Sequence, residues 1–127
     1  LIKGNVDRIE NRNGTIRIID YKTGKVEKGN VSLSSWEGLT LDIKNEKIIQ
    51  VLAYVFMFEK EANGLPIEAG IISFKNLKAG FLPFNFKSGK EEITRIDQDI
   101  LNNYLEQIVV LLTEILDETI PFTEKVN

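Results

Sequence analysis

Asp7 and Asp20 lie at equal distances from Asn13-Gly14, the dipeptide that most strongly favours a two-residue hairpin bend. With those two residues as the loop, Arg12 faces Thr15, Glu10 faces Arg17, Ile9 faces Ile18, and Asp7 faces Asp20. The Glu10–Arg17 and Ile9–Ile18 pairs are each favourable, one on each face of the ladder, and support this register independently. The same register brings two carboxylates together on one face, with Cβ atoms about 4.5–5.5 Å apart. Their repulsion is about 3 kcal/mol at an effective dielectric of about 20. A shared proton or a cation has to relieve it. Lys22, two residues after Asp20 and on the same face, is one candidate. A divalent ion is another, and oxygen-only ligation suits Mg²⁺ or Mn²⁺. The plainer alternative is a solvated sheet end, and a one-residue slip of register would dissolve the pair altogether.

Composition narrows the chemistry further. The 127 residues contain no His and no Cys. Ser-His-Asp catalysis, thiol nucleophiles, Cys- or His-ligated zinc and an iron–sulfur cluster held by this segment are therefore excluded. Carboxylates, Lys, Tyr, Gln and a hard metal ion remain. The chain is 43% hydrophobic and 28% charged, and its net charge is −3. That is ordinary globular composition for one domain, with no basic run to advertise nucleic-acid binding. No apolar run approaches a membrane span and no signal peptide opens the chain. The opening Leu1-Ile2-Lys3-Gly4 already reads as strand, so residues 1–127 are expected to be one domain trimmed at both ends from a longer protein.

The elements that must carry these side chains follow from periodicity. Residues 2–23 read as a hairpin and residues 25–44 as a long loop or weak strands, with apolar fragments at Val31, Leu33, Trp36, Leu39 and Leu41. Residues 46–62 read as a helix that Asn45 caps and Asn63-Gly64 and Pro66 stop. Gln50 and Tyr54 share one face of it with Lys47. A Gln on so apolar a helix must find a hydrogen bond, and a core Gln beside a packing Tyr satisfies that equally. Ile67–Phe74 and Phe81–Phe86 read as strands around a turn at Lys78-Ala79-Gly80, with Phe74, Phe81, Phe84 and Phe86 forming a sheet face. Thr94-Arg95-Ile96-Asp97 resembles a capping box. A helix from there to Thr119, ended by Pro121, carries a core stripe from Tyr104 to Ile115. Glu91-Glu92 and Glu59–Glu61 read as solvated faces, and Trp36 as a residue packed on the core. The order ββ–loop–α–ββ–α predicts an α/β or α+β fold with helices flanking a sheet.

Three segments then resemble consecutive motifs of one family. They are Gly4-Asn5-Val6-Asp7-Arg8-Ile9-Glu10, Ile18-Ile19-Asp20-Tyr21-Lys22-Thr23-Gly24, and Gln50-Val51-Leu52-Ala53-Tyr54. Their order and patterns, G-x-x-D-R, D-Y-K-T-G and Q-x-x-x-Y, are similar to the PD-(D/E)XK nuclease superfamily. The likeness is greatest to the branch at the C-terminal ends of RecB and AddB in bacterial helicase–nuclease complexes. The resemblance implies a restriction-endonuclease-like mixed sheet and a cytoplasmic, Mg²⁺- or Mn²⁺-dependent DNA exonuclease working in double-strand-break repair. It implies Asp7, Asp20 and the Tyr21 backbone carbonyl as metal ligands, and Lys22 as the residue that orients or deprotonates the attacking water. Gln50 and Tyr54 would support Lys22 and contact substrate phosphates, with Arg8 and Thr23 in supporting roles.

The chemistry agrees with the resemblance, since a metal held by carboxylates activates water without histidine. Two departures stand beside it: an upstream His or Glu ligand of the branch precedes this segment, and the cysteines of AddB-like members are missing. Both bear on whether the segment is active alone. The alternatives are a catalytically inactive DNA-binding or scaffolding module, or a nuclease of a CRISPR or phage recombination system. The complete Asp7, Asp20, Lys22, Gln50, Tyr54 set argues against decay.

Overall fold

Asn13 and Gly14 both adopt positive φ, 55° and 90°, which is the backbone a type I′ bend requires. The computed structural model describes residues 7–126, with side chains described to residue 113, so Gly4-Asn5-Val6 and the expected start of the hairpin lie outside the described residues. Strand β1 (Arg8–Arg12) and strand β2 (Thr15–Lys22) pair antiparallel in the expected register, Arg12 with Thr15, Glu10 with Arg17 and Ile9 with Ile18. Strand β3 (Ser32–Leu33) and three short 3₁₀ turns fill the 25–44 stretch. Its apolar residues Val26, Val31, Leu33 and Leu39 are buried anchors. Helix α1 (Glu46–Phe58) follows, and a 3₁₀ turn (Glu59–Ala62) ends at Asn63, whose left-handed φ of 53° turns the chain. Asn45 occupies the N-cap position of α1 as expected but makes no side-chain cap hydrogen bond, its amide donating instead to the Leu39 carbonyl.

Strand β4 (Ile67–Ser73) lies parallel to β2, with Asp20 beside Ile71 and Lys22 beside Ser73. Helix α1 is the crossover between them. The expected strand Phe81–Phe86 divides at Phe84. Strand β5 (Phe81–Pro83) closes a four-stranded sheet of order β1-β2-β4-β5, whereas β6 (Asn85–Ser88) joins β3 and β7 (Glu91–Ile93) in a second sheet. Pro83 lacks a ladder donor, and Phe84, fully buried, sends its N–H to the Ala69 carbonyl. The four phenylalanines consequently do not share one face. Phe84 is core, Phe86 stacks on half-buried Trp36 at 5.5 Å, Phe81 lies under Arg17, and Phe74 is exposed beside Tyr21. Glu91-Glu92, read from sequence as a solvated face, is exposed but belongs to β7.

Helix α2 (Gln98–Val126) starts one turn later than a Thr94 cap would place it. Asp97 accepts from the Ile100 N–H at 3.0 Å and is the cap, while the Thr94 hydroxyl donates to Glu68. The backbone stays helical through Pro121, which removes one donor without ending the helix. Buried Tyr104 donates to the Ile49 carbonyl at 3.1 Å and joins α2 to α1, and burial pushes its hydroxyl pKa up to about 12. Ile115, the last member of the expected stripe, has no described side chain. The core lies between the α1 face of the large sheet (Ile18, Ala69, Ile71) and Ile48, Val51, Leu52 and Val55 of α1, with Ile100 and Leu101 of α2 behind. This mixed α/β architecture is consistent with a restriction-endonuclease-like fold. Among the described residues no helix is long and apolar enough to cross a membrane.

Candidate active site

Strand alternation decides which side chains of β2 meet α1. Ile18, Asp20 and Lys22 point toward the helix, and Ile19 and Tyr21 point away. Ile18 is core, so Asp20 follows it into a nearly dry environment and is only 6% exposed. Lys22, at the strand end, reaches back to put its Nζ 3.0 Å from Asp20 Oδ2. The same ammonium donates to Gln50 Oε1 at 2.6 Å, and Gln50 Nε2 donates to the Tyr54 hydroxyl at 3.2 Å. One turn of α1 thus holds the lysine through a relay in which each polar group is matched to the next.

Asp7 reaches this site by a different route from the one its register predicts. The ladder begins at Arg8, so Asp7 sits on a bend just outside it and not in a strand pair. Its carboxylate accepts the Tyr21 N–H at 2.8 Å, in the place where a partner strand's carbonyl would stand. It still neighbours Asp20 closely enough to hinder the ionisation of that residue. Asp20 is held above the usual aspartate range chiefly by burial, with Asp7 adding to the shift and Lys22 opposing it.

Tyr21 directly follows Asp20 in β2, and its N–H and C=O point to the same side, toward β1 and Asp7. Asp20 Oδ2 is buried and, although close to the ammonium, receives no hydrogen bond of proper geometry. An orphaned carboxylate oxygen beside a second carboxylate and a strand carbonyl is an all-oxygen donor set of the kind hard divalent ions take. The residues therefore fit Mg²⁺ or Mn²⁺. Among the described residues no group of three or more His, Cys, Asp or Glu converges here, so waters or substrate oxygens would complete the shell.

The other two motif residues are not brought into this cluster. Arg8 lies on the opposite face of the sheet, paired with Glu10 at 3.2 Å, and its pKa is raised by hydrogen bonding to Tyr21 and by the nearby Glu10 charge. Thr23 is exposed just beyond β2. Ser73 and Asn76, which hold the chain after Lys22, are absent from the sequence reading. Ser73 had one weak signal, a lone hydroxyl ending the apolar run Ile71-Ile72, but its partner strand is parallel and distant in sequence.

The raised Asp20 pKa gives a pH-dependence with a definite sign. The metal-free native state binds a proton more readily than the unfolded chain, whose aspartate titrates near its ordinary value of 3.8. Stability contributed by this group is therefore full below 3.8 and falls as pH rises through the native pKa. Carboxyl-carbon NMR titration of the metal-free chain should place Asp20 above 3.8, and a midpoint at or below it would contradict the described burial.

The chain belongs to the PD-(D/E)XK nuclease superfamily, whose family model matches residues 1–127. No curated protein and no solved structure matches it. Members of this superfamily generally hydrolyse phosphodiester bonds with divalent ions such as Mg²⁺, so a metal-dependent nuclease-like function follows from membership.

Proposed function

We propose that this chain is a deoxyribonuclease domain of the RecB/AddB type, the exonuclease module of a bacterial cytoplasmic helicase–nuclease that repairs double-strand breaks. The observation that carries the reading is the hydrogen-bonded run Tyr54–Gln50–Lys22 ending on the buried Asp20. Each residue in it is one the motifs single out. The RecB/AddB likeness rests on the spelling of those motifs, and DNA and the remainder of the helicase–nuclease are the partners it implies.

The roles follow from donor arithmetic. An ammonium has three donors. Gln50 accepts one of them, and Asp20 Oδ2 faces the same ammonium as an ion pair at 3.0 Å, so donor capacity is left to hold the attacking water or a non-bridging phosphate oxygen. Tyr54 fixes the amide orientation of Gln50, so the lysine meets an acceptor and not the amide NH₂. Asp7, Asp20 and the Tyr21 carbonyl would hold the divalent ion, which when bound would supply Lewis-acid polarisation of the phosphate. Arg8 and Thr23, to which the motif resemblance gives supporting roles, stand outside this cluster.

Calorimetric titration with Mg²⁺ and Mn²⁺ tests the assignment. Asp20→Asn removes the only buried charge among these ligands and should weaken metal binding by at least about tenfold. Equal affinity in that variant would defeat the reading.

A further inference from the structure

Beyond Lys22 the chain leaves β2, and no strand receives it. It is nonetheless fastened at every second residue to the end of β4. The Lys22 carbonyl accepts from the Phe74 N–H at 2.9 Å. The Ser73 hydroxyl donates to the Gly24 carbonyl at 2.7 Å and accepts from the Val26 N–H at 3.2 Å. The Asn76 amide donates to the Val26 carbonyl at 2.9 Å. Ser73 has no exposed surface and stands directly beside Lys22 in the parallel ladder. Its hydroxyl spends both its donor and its acceptor capacity on this one loop, so two side chains continue the ladder where the backbone cannot.

We propose that Ser73, assisted by Asn76, is a positioning residue for Lys22. It fixes the backbone on the far side of the lysine as firmly as β2 fixes the near side, so the ammonium is delivered between Asp20 and Gln50. The inference rests on the nuclease reading for its catalytic consequence but not for its geometry. Without the clamp the residues after Lys22 are free to swing, and the lysine keeps its charge but loses its place. Small displacements of this kind lower turnover roughly ten- to a hundredfold. Metal and DNA binding, which the clamp does not touch, should be retained.

The test compares Ser73→Ala, Ser73→Thr and Asn76→Ala in the full chain. In Ser73→Ala we expect kcat to fall about tenfold or more, with KM for DNA and Mg²⁺ affinity unchanged. Ser73→Thr should restore kcat because it keeps the hydroxyl. Combined with Gln50→Ala, the loss should be less than the product of the two single losses, since both act through the same ammonium. The ¹⁵N signal of the Lys22 ammonium, sharp in the wild type, should broaden in Ser73→Ala. Asn76→Ala should show the same changes in smaller measure, and it decides the matter if Ser73→Ala does not fold. An unchanged kcat and ammonium signal overturns the proposal, as does a loss shared equally by kcat, KM and metal affinity. If the wild type itself fails to cleave DNA with Mg²⁺ or Mn²⁺, the nuclease reading falls, and the ammonium signal alone still decides the clamp.

Discussion

Lys22→Ala should lower the rate of DNA cleavage roughly 10²–10⁴-fold, the range for losing a positioned acid–base or charge-stabilising group. Metal affinity, measured by calorimetry at pH 8, should stay within a few-fold of wild type. The two results separate because Lys22 contacts Asp20 from the helix side, while Asp7 and the Tyr21 carbonyl approach from the β1 side. Removing the ammonium leaves each of the proposed ligands in place. It also leaves Gln50 Oε1 without its donor, and the Gln50→Ala variant should lose less activity than Lys22→Ala. If Lys22→Ala cleaves at the wild-type rate, the lysine has no part in the chemistry. Conversely, a metal affinity that collapses in Lys22→Ala would assign it to the ion site.

Gly70→Ala should destabilise the fold by about 3 kcal/mol or more, which at this chain length lowers Tm by roughly 10 °C. A Cβ at position 70 would sit 2.6 Å from Pro83 Cα and 2.7 Å from the Leu82 carbonyl carbon, against the Leu82 carbonyl oxygen. These are backbone atoms and cannot rotate away. Gly70 lies in the centre of β4, between Ile19 of β2 and Pro83 of β5, beside the corner where the chain leaves β5 for β6. Any larger residue must push that corner outward and part β4 from β5. Thermal unfolding followed by circular dichroism checks this. A Tm within 2 °C (about the scatter of a neutral substitution) would mean the corner yields more readily than the close approach of β4 and β5 allows.

Much of the site was legible because the hairpin is local. Asn13-Gly14 sets the bend, the Glu10–Arg17 and Ile9–Ile18 pairs set the register, and alternation then fixes the faces of Asp20 and Lys22. Gln50 and Tyr54 were legible from the four-residue spacing of α1. What could not be read depends on partners far away in sequence. The parallel pairing of Lys22 with Ser73 arises only when α1 folds over the sheet, and so the lone hydroxyl of Ser73 had no partner that local sequence could supply. Phe81–Phe86 looked continuous because alternation is the same whether a strand stays in one sheet or turns a corner at Pro83. Thr94 and Asp97 are both good caps, and the choice between them fell to Glu68, which takes the Thr94 hydroxyl. The placement of Asp7 was right in neighbourhood and wrong in detail, because the ladder stops one residue short of it.

That short ladder has a consequence for turnover. Asp20 is locked into a strand flanked on both sides, whereas among the described residues Asp7 is tied to the sheet backbone by its side-chain hydrogen bond to Tyr21 and by no ladder pair. Among the described residues, withdrawing it breaks no ladder pair. One acid is thus a fixed jaw and the other a latch: on the proposed nuclease reading, a divalent ion held between them would be let go by movement of Asp7 while the scaffold beneath it stays still.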